Sequence, residues 1–186
     1  MLYAQSPNSI DVASSAMRLF LAGSIDSGMA EDWQTSTVDR LRDLDVVVFN
    51  PRRAAWPAGA SLESGTEELR RQINRELDAI ERSDLMAFYF VPGTKAPISL
   101  LEHGLIAPRK QAVVCRPPGF WRKTNVDVIC ERFEIQQVNL FKPPASPRLI
   151  RINRSRLFVR PFFQRPGIGY SAGRAWFRGS NRQLRS

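Results

Sequence analysis

Apolar residues fall along this chain in four short runs: 18–22 (RLFLA), 45–50 (DVVVFN), 85–91 (LMAFYFV) and 111–116 (QAVVCR). None shows sustained alternation with polar residues and none is long enough for a helix. Each therefore reads as a strand covered on both faces. The intervals carry helical spacing instead. Over 31–44, Trp33, Val38, Leu41 and Leu44 keep a helical repeat, and Glu31 and Asp32 suit a positive N-terminal dipole. Over 66–83, Leu69, Ile73, Leu77 and Ile80 form a stripe, with Glu67–Arg71 and Asp78–Arg82 as i,i+4 pairs on the outer face. A third helix starts near Pro97, after a break at Pro92-Gly93. A short one over 125–133 turns Val126, Ile129 and Cys130 inward, and a weaker fifth strand follows at 135–140. Residues 1–17 have no period and are expected to be loosely ordered.

Strands alternating with helices predict a parallel sheet covered on both sides, with right-handed crossovers. The expected fold is α/β: a flavodoxin/Rossmann-like three-layer sandwich over 18–141, with a five-stranded parallel sheet in the order 2-1-3-4-5. From residue 142 the pattern stops, and prolines, arginines and scattered aromatics make 142–186 an irregular basic extension, expected to be disordered.

Charge sharpens this division. The chain carries +9 overall, but residues 1–141 carry −2 and residues 142–186 carry +11 with no acid. Any nucleic-acid contact is thus expected through the tail only, where Phe162, Phe163, Trp176 and Phe177 could stack on bases. Two cysteines, Cys115 and Cys130, lie in apolar contexts and read as free thiols in a reducing compartment. The start lacks the basic and apolar segments of a signal peptide, and no apolar run approaches the ~20 residues of a membrane span. A cytoplasmic protein without membrane contact is the expectation.

In an open α/β sheet, ligands bind outside the carboxyl ends of the strands. Gly23-Ser24-Ile25-Asp26-Ser27-Gly28 follows the first strand, and a glycine there lets backbone approach a ligand closely. The spacing is not GxGxxG and no Lys-Ser/Thr follows Gly28, so the dinucleotide fingerprint and the P-loop are both absent. Asn50 and Arg52-Arg53 end the second strand, and 51–65 is a loop carrying Trp56. Lys95 and Ser99 border the third helix, whose N-terminus would favour a 5′-phosphate. Trp33, Trp56 and Trp121 suit core or lid packing better than base stacking.

Glu102 admits two readings. Ser99-Leu100-Leu101-Glu102 matches a capping box, with Ser99 at the N-cap and Glu102 three residues on. Alternatively Glu102 is a carboxylate at the mouth of the sheet, able to attack a sugar carbon or stabilise an oxocarbenium-like state. Asp84, at the start of the third strand, is either a strand-start residue paired with an arginine or a group that holds a nucleobase. His103 has no visible partner and reads as a bystander. No Cys/His/Asp cluster has metal-ligand spacing, and no nucleophile elbow is present, so no metal site is expected.

FLAGSI after the first strand, NPRR with Trp56 after the second, and ERSDLMAFYF running into ISLLEHGLIA together resemble the nucleoside 2-deoxyribosyltransferase-like family. GFWRKTNVD is similar to a segment of one divergent branch. The resemblance covers about residues 18–141. It implies that the family's glutamate nucleophile is Glu102 and its base-contacting aspartate Asp84, with the first loop, Gly23, Ser24, Ile25 and Asp26, lining the sugar and base pocket. It also implies a dimer or larger assembly, in which Asn125 or Asp127 would complete a partner's pocket, and no cofactor. The chain departs from the family in two places. Gly93-Thr94 lies farther from Glu102 than GTxxE requires, and Phe20 and Ser24 stand where a tyrosine is usual.

The leading expectation is N-glycosyl transfer or hydrolysis on a nucleoside or nucleoside 5′-monophosphate through a glycosyl-enzyme on Glu102. Asn50, Arg52, Ser99 and Asn125 join the first loop in the substrate site. The alternatives are an NAD-like glycohydrolase and a non-catalytic nucleotide-binding module with a basic, nucleic-acid-contacting tail.

Overall fold

The computed structural model describes residues 1–55, 66–108 and 111–138. The 142–186 extension and Trp56 lie outside them. Six strands form one all-parallel sheet in the order β1-β3-β2-β4-β5-β6. These are β1 (Leu2–Gln5), β2 (Met17–Gly23), β3 (Val46–Asn50), β4 (Leu85–Tyr89), β5 (Gln111–Cys115) and β6 (Gln136–Val138). Setting β1 aside, the order is the 2-1-3-4-5 expected. Residues 139–140 of the anticipated last strand lie outside the described set.

The N-terminus differs from expectation. Leu2–Gln5 is not loose but adds an edge strand to β3, in the register Leu2↔Val47 to Gln5↔Asn50. Its amides find partners there, and the Ser6 amide donates to the Asn50 carbonyl at 2.9 Å. Four residues are too few to show a period, so pairing and the burial of Ala4 decide the outcome.

Helix α1 (Trp33–Leu41) packs on one face of the sheet, where Trp33 and Leu41 join Leu19, Leu21, Val46 and Val48. The other face is covered by α2 (Glu67–Arg82), α3 (Pro97–Ile106) and α4 (Lys123–Arg132), which contribute Ala79, Ile80, Ile106, Val126 and Cys130. Phe20, Phe49, Phe88 and Phe90 are fully buried on that second face. Each contributes roughly 2–3 kcal/mol of burial free energy. Asp32 caps α1 by accepting from the Thr35 amide at 3.1 Å, and Thr66 caps α2 through the Leu69 amide at 3.2 Å. No helix among the described residues is long and apolar enough to cross a membrane.

The inward face of α2 is rotated by about one residue from the apolar stripe. Gln72, Ala79 and Ile80 are buried, whereas Ile73 and Leu77 are 46 % and 41 % exposed. Gln72 can be buried because it has partners. It bonds to the Ser6 hydroxyl, and its amide nitrogen donates to the Pro51 carbonyl at 3.3 Å and to Glu76. Glu76, four residues on from Gln72, therefore lies on the inward side of α2 as well.

Candidate active site

The carboxyl ends of β2 and β4 are locked to the start of α3 by backbone and hydroxyl contacts. Gly23 has φ +142°, and a Cβ there would stand 2.2 Å from the Tyr89 carbonyl oxygen, so only glycine lets these strands meet. The next amide, of Ser24, donates to that same carbonyl at 2.9 Å. Ser24 is fully buried. Its hydroxyl shares a 2.6 Å bond with Thr94 and accepts the Val91 amide at 3.0 Å, while its carbonyl accepts the Trp33 indole N–H at 3.0 Å. The Ser99 hydroxyl donates to the Gly23 carbonyl at 2.7 Å. Gly23, Ser24 and Ser99 thus hold the rim together, with the two hydroxyls turned into the scaffold.

This arrangement removes the capping-box reading of Glu102. α3 begins at Pro97 behind Ala96, which adopts the left-handed region (φ 43°), and it has no side-chain cap. Ser99 is the third helical residue, and Glu102 lies in the second turn, beyond the orphan amides that a capping glutamate serves. Glu102 flanks the buried stripe of Ser99, His103 and Ile106 and is half-buried.

Its environment is unusual for a carboxyl group. Burial first, and the negative charge of Glu76 second, push the Glu102 pKa from 4.5 up to about 8. Burial also raises Glu76, against the lowering effects of its bond from Gln72 and of Arg75 and Arg53. Glu76 on α2 and Glu102 on α3 are thus two recessed carboxyl groups on the same side of the sheet, each within reach of the other's charge. Such a pair keeps one member protonated near neutral pH, so it can hold a proton and supply a nucleophile in one place. Sequence reasoning passed over Glu76 because the most apolar stripe of α2 pointed elsewhere. The available signal was an acid four residues after Gln72 and three before Ala79.

Asp84 requires the main correction. It precedes β4, at the amino end of the strand, whereas Glu102 follows the carboxyl end. Its carboxylate accepts the Arg18 amide at 2.7 Å, and its own amide donates to the Arg18 carbonyl at 2.9 Å. It closes the amino edge of the β2–β4 pair, and the length of β4 lies between it and the loop that leads into α3. The strand-start reading describes it.

The remaining candidates divide between scaffold and rim. Asn50 is fully buried, donating to the Tyr3 hydroxyl at 2.8 Å and accepting the Arg52 amide at 2.9 Å. The Arg52 guanidinium is spent on the first loop, donating to the carbonyls of Gly28 (3.2 Å), Ala30 (2.9 Å) and Glu31 (3.2 Å). Ile25 is half-buried, and its carbonyl accepts from Gly28 and Ala30. Asp26 reaches across to α3, where its two carboxylate oxygens accept the amides of Lys95 (3.3 Å) and Ala96 (3.2 Å). Asn125 is exposed in the first turn of α4. Asp127 is held within the chain by Arg116 at 2.6 Å and Lys123 at 2.5 Å.

His103 is no surface bystander. It is fully buried, packed edge-on against Phe88 and Phe90, with Nε2 3.6 Å from Cys130 Sγ. Burial lowers its pKa to about 4 and raises the Cys130 thiol to about 12, so both are neutral packing groups. Trp121 is half exposed. Its indole N–H donates to the Lys95 carbonyl at 2.9 Å, and the Arg122 guanidinium lies 4.3 Å over its ring. It therefore ties the loop before α4 to the loop before α3. A cleft of about 430 Å³ lies between α2 and residues 7–10, beside Arg53, Arg71 and Arg75, and Glu102 does not line it. Among the described residues no group of three or more His, Cys, Asp or Glu is gathered to hold a metal ion.

The fold and site together define a flavodoxin-like α/β protein with two recessed carboxyl groups, Glu76 and Glu102, on one side of its sheet. The chain belongs to the nucleoside 2-deoxyribosyltransferase-like family, whose model matches residues 16–120. The match spans β2 to the loop after β5 and includes both Glu76 and Glu102. No curated protein sequence matches the chain.

Proposed function

We propose that this protein breaks and remakes the N-glycosidic bond of a nucleoside or nucleoside 5′-monophosphate, with Glu102 as nucleophile. The observation that carries the reading is the recessed Glu76–Glu102 pair, in which Glu102 titrates at about 8. A carboxylate of such high basicity is a strong nucleophile once ionised. Glu102 attacks C1′, the C1′–N bond breaks, and its electron pair leaves with the base, which takes up a proton. A nitrogen of a second base, or water, then displaces Glu102 from C1′. Glu76 is the second carboxyl group of this reading, in place of the nucleobase-holding Asp84 expected from the sequence. Burial first, and the charge of Glu76 second, keep the proton on Glu102 until a ligand alters the balance.

Membership of the family supports glycosyl transfer as the reaction class. We further propose that two copies assemble through the α2–α3 face. Ile98, Leu101 and Leu105 lie in a row on α3 and are 61 %, 69 % and 51 % exposed, and Ile73 and Leu77 of α2, which covers the same side of the sheet, are exposed as well. A run of apolar side chains this exposed favours a partner surface. Asn125, exposed and without a side-chain hydrogen bond to another described residue, is the candidate to serve a partner's site.

The test is chromatographic detection of free base from deoxynucleosides, ribonucleosides and their 5′-monophosphates, each with and without a second base. Base released by wild type and not by Glu102→Ala supports the reading. Exchange with added base identifies a transferase, and release without exchange a hydrolase. Equal activity of Glu102→Ala would remove Glu102 from the chemistry.

A further inference from the structure

The carboxyl end of β3 holds one side-chain amide of α2 from two sides. Gln72 is buried, and so is Ser6, whose own amide donates to the Asn50 carbonyl at 2.9 Å. The Ser6 hydroxyl donates to Gln72 Oε1, and Gln72 Nε2 donates to the Pro51 carbonyl at 3.3 Å. A backbone carbonyl can only accept, so Pro51 fixes which end of the amide is nitrogen, and the oxygen is left for Ser6. Nε2 carries two hydrogens. One goes to Pro51 and the other to Glu76 Oε1, one helical turn further along the same face of α2. Glu76 Oε1 is thereby an acceptor, and a proton on this carboxyl group belongs on Oε2. That oxygen has no bond to another described residue.

We propose that Gln72 is a positioning residue for the glycosyl reaction: it holds Oε1 of Glu76 as a fixed acceptor and leaves Oε2 as the oxygen through which Glu76 gives or takes a proton. The inference rests on the glycosyl reading of Glu102 with Glu76 as second carboxyl group. The surrounding charges act in the same direction as the bond. Arg75, the preceding residue on α2, and Arg53, from the loop after β3, both favour ionised Glu76, while burial opposes them. Glu76 is in turn the charge that bears on Glu102. A donor on Oε1 therefore makes Glu76 the member of the pair that ionises first, and Glu102 the member that keeps its proton.

NMR titration of the Glu76 and Glu102 carboxyl carbons and of the Gln72 side-chain amide protons tests this in wild type, Gln72→Met and Ser6→Ala, beside the base-release assay. In wild type, one Gln72 amide proton is expected to shift with the midpoint of the Glu76 carboxyl group, which needs no variant to fold. Gln72→Met fills a similar volume without the donor. It should raise the Glu76 midpoint by about one unit, which is about tenfold in proton affinity, and slow base release about tenfold. Ser6→Ala strips Gln72 of a buried partner but keeps the donor on Glu76, so it should cost stability and leave the Glu76 midpoint within about 0.3 unit. The inference is overturned if the Gln72 protons ignore the Glu76 midpoint, if Gln72→Met leaves that midpoint in place, or if Ser6→Ala moves it as far as Gln72→Met does. A midpoint that moves while base release stays at the wild-type rate overturns the role in the reaction. If Glu102→Ala releases base as fast as wild type, the glycosyl reading fails instead, and the titrations still decide whether Gln72 fixes Oε1.

Discussion

Replacing Glu102 with glutamine should stabilise the protein in alkaline solution, and the size of the effect follows from the site. Glu102 titrates at about 8 in the native chain against an ordinary 4.5 once exposed. Between those values the native chain keeps a proton that the unfolded chain has released. Rising pH therefore drains stability across that window, and the loss is complete above about pH 8. Each unit of displacement corresponds to about 1.4 kcal/mol, so the full shift amounts to roughly 4–5 kcal/mol, of which roughly 4 develops between about pH 5 and about pH 9. Glu102 is only half-buried, and solvent screening reduces the expected figure to roughly 2–4 kcal/mol. Glutamine does not titrate and fills the same volume. Urea unfolding of wild type and Glu102→Gln at the two pH values, compared at equal m-values, measures the effect directly. The variant should gain relative to wild type by that amount on going from about pH 5 to about pH 9, while losing the glycosyl activity proposed above. A stability difference that stays constant within about 0.5 kcal/mol across the range would refute the claim that burial and Glu76 hold the proton on Glu102.

Further outcomes follow from other residues. Glu76→Gln removes the negative neighbour and leaves the burial, so the pH at which kcat/KM rises should fall in the variant; an unchanged midpoint in the pH–rate profile would uncouple the pair. Gly23→Ala places a Cβ 2.2 Å from the Tyr89 oxygen, and should cost on the order of 3 kcal/mol or more in thermal or urea unfolding; a neutral result would contradict the strand contact. His103, depressed to about 4 from 6.5, binds protons more readily when unfolded. Its contribution is intact above pH 6.5 and lost as pH falls towards 4, so His103→Leu should flatten that limb of the stability profile. Leu101→Glu, on the exposed row of α3, should shift the protein to monomer in light scattering, and an unchanged mass would remove that face from the assembly.

Much of the architecture could be read from the apolar runs because four strands are buried on both faces and cannot tolerate polar interruptions. Val46–Asn50 and Leu85–Tyr89 fall inside the segments expected. The edge strand Leu2–Gln5 could not be read, since its order comes from pairing with β3 and not from its own pattern. The candidate site was only half visible. Glu102 stood out by its position after the β4 break. Its partner did not, because inwardness on α2 depends on which polar residues find partners: Gln72 is buried through Ser6 and Pro51, while Ile73 beside it is left in solvent. Asp84 misled for the opposite reason. Adjacent in sequence to a strand that leads to the site, it sits at the strand's far end. Ser24, Asn50 and Arg52 are near the rim, but their hydrogen-bonding capacity is consumed by the scaffold, which sequence spacing does not reveal.

The all-parallel sheet also governs how this chain must acquire its shape. No two neighbouring strands are joined by a tight turn: Leu19 meets Leu85, Leu2 meets Val47, and Leu85 meets Gln111. Every rung therefore waits for a crossover to close, and among the described residues no hairpin is present to nucleate the sheet. The central strand β2 remains without its β4 neighbour until residues beyond Tyr89 have been synthesised. During that interval Leu19, Leu21 and Phe20 are exposed, and this nascent stretch is where chaperone binding and premature association should concentrate.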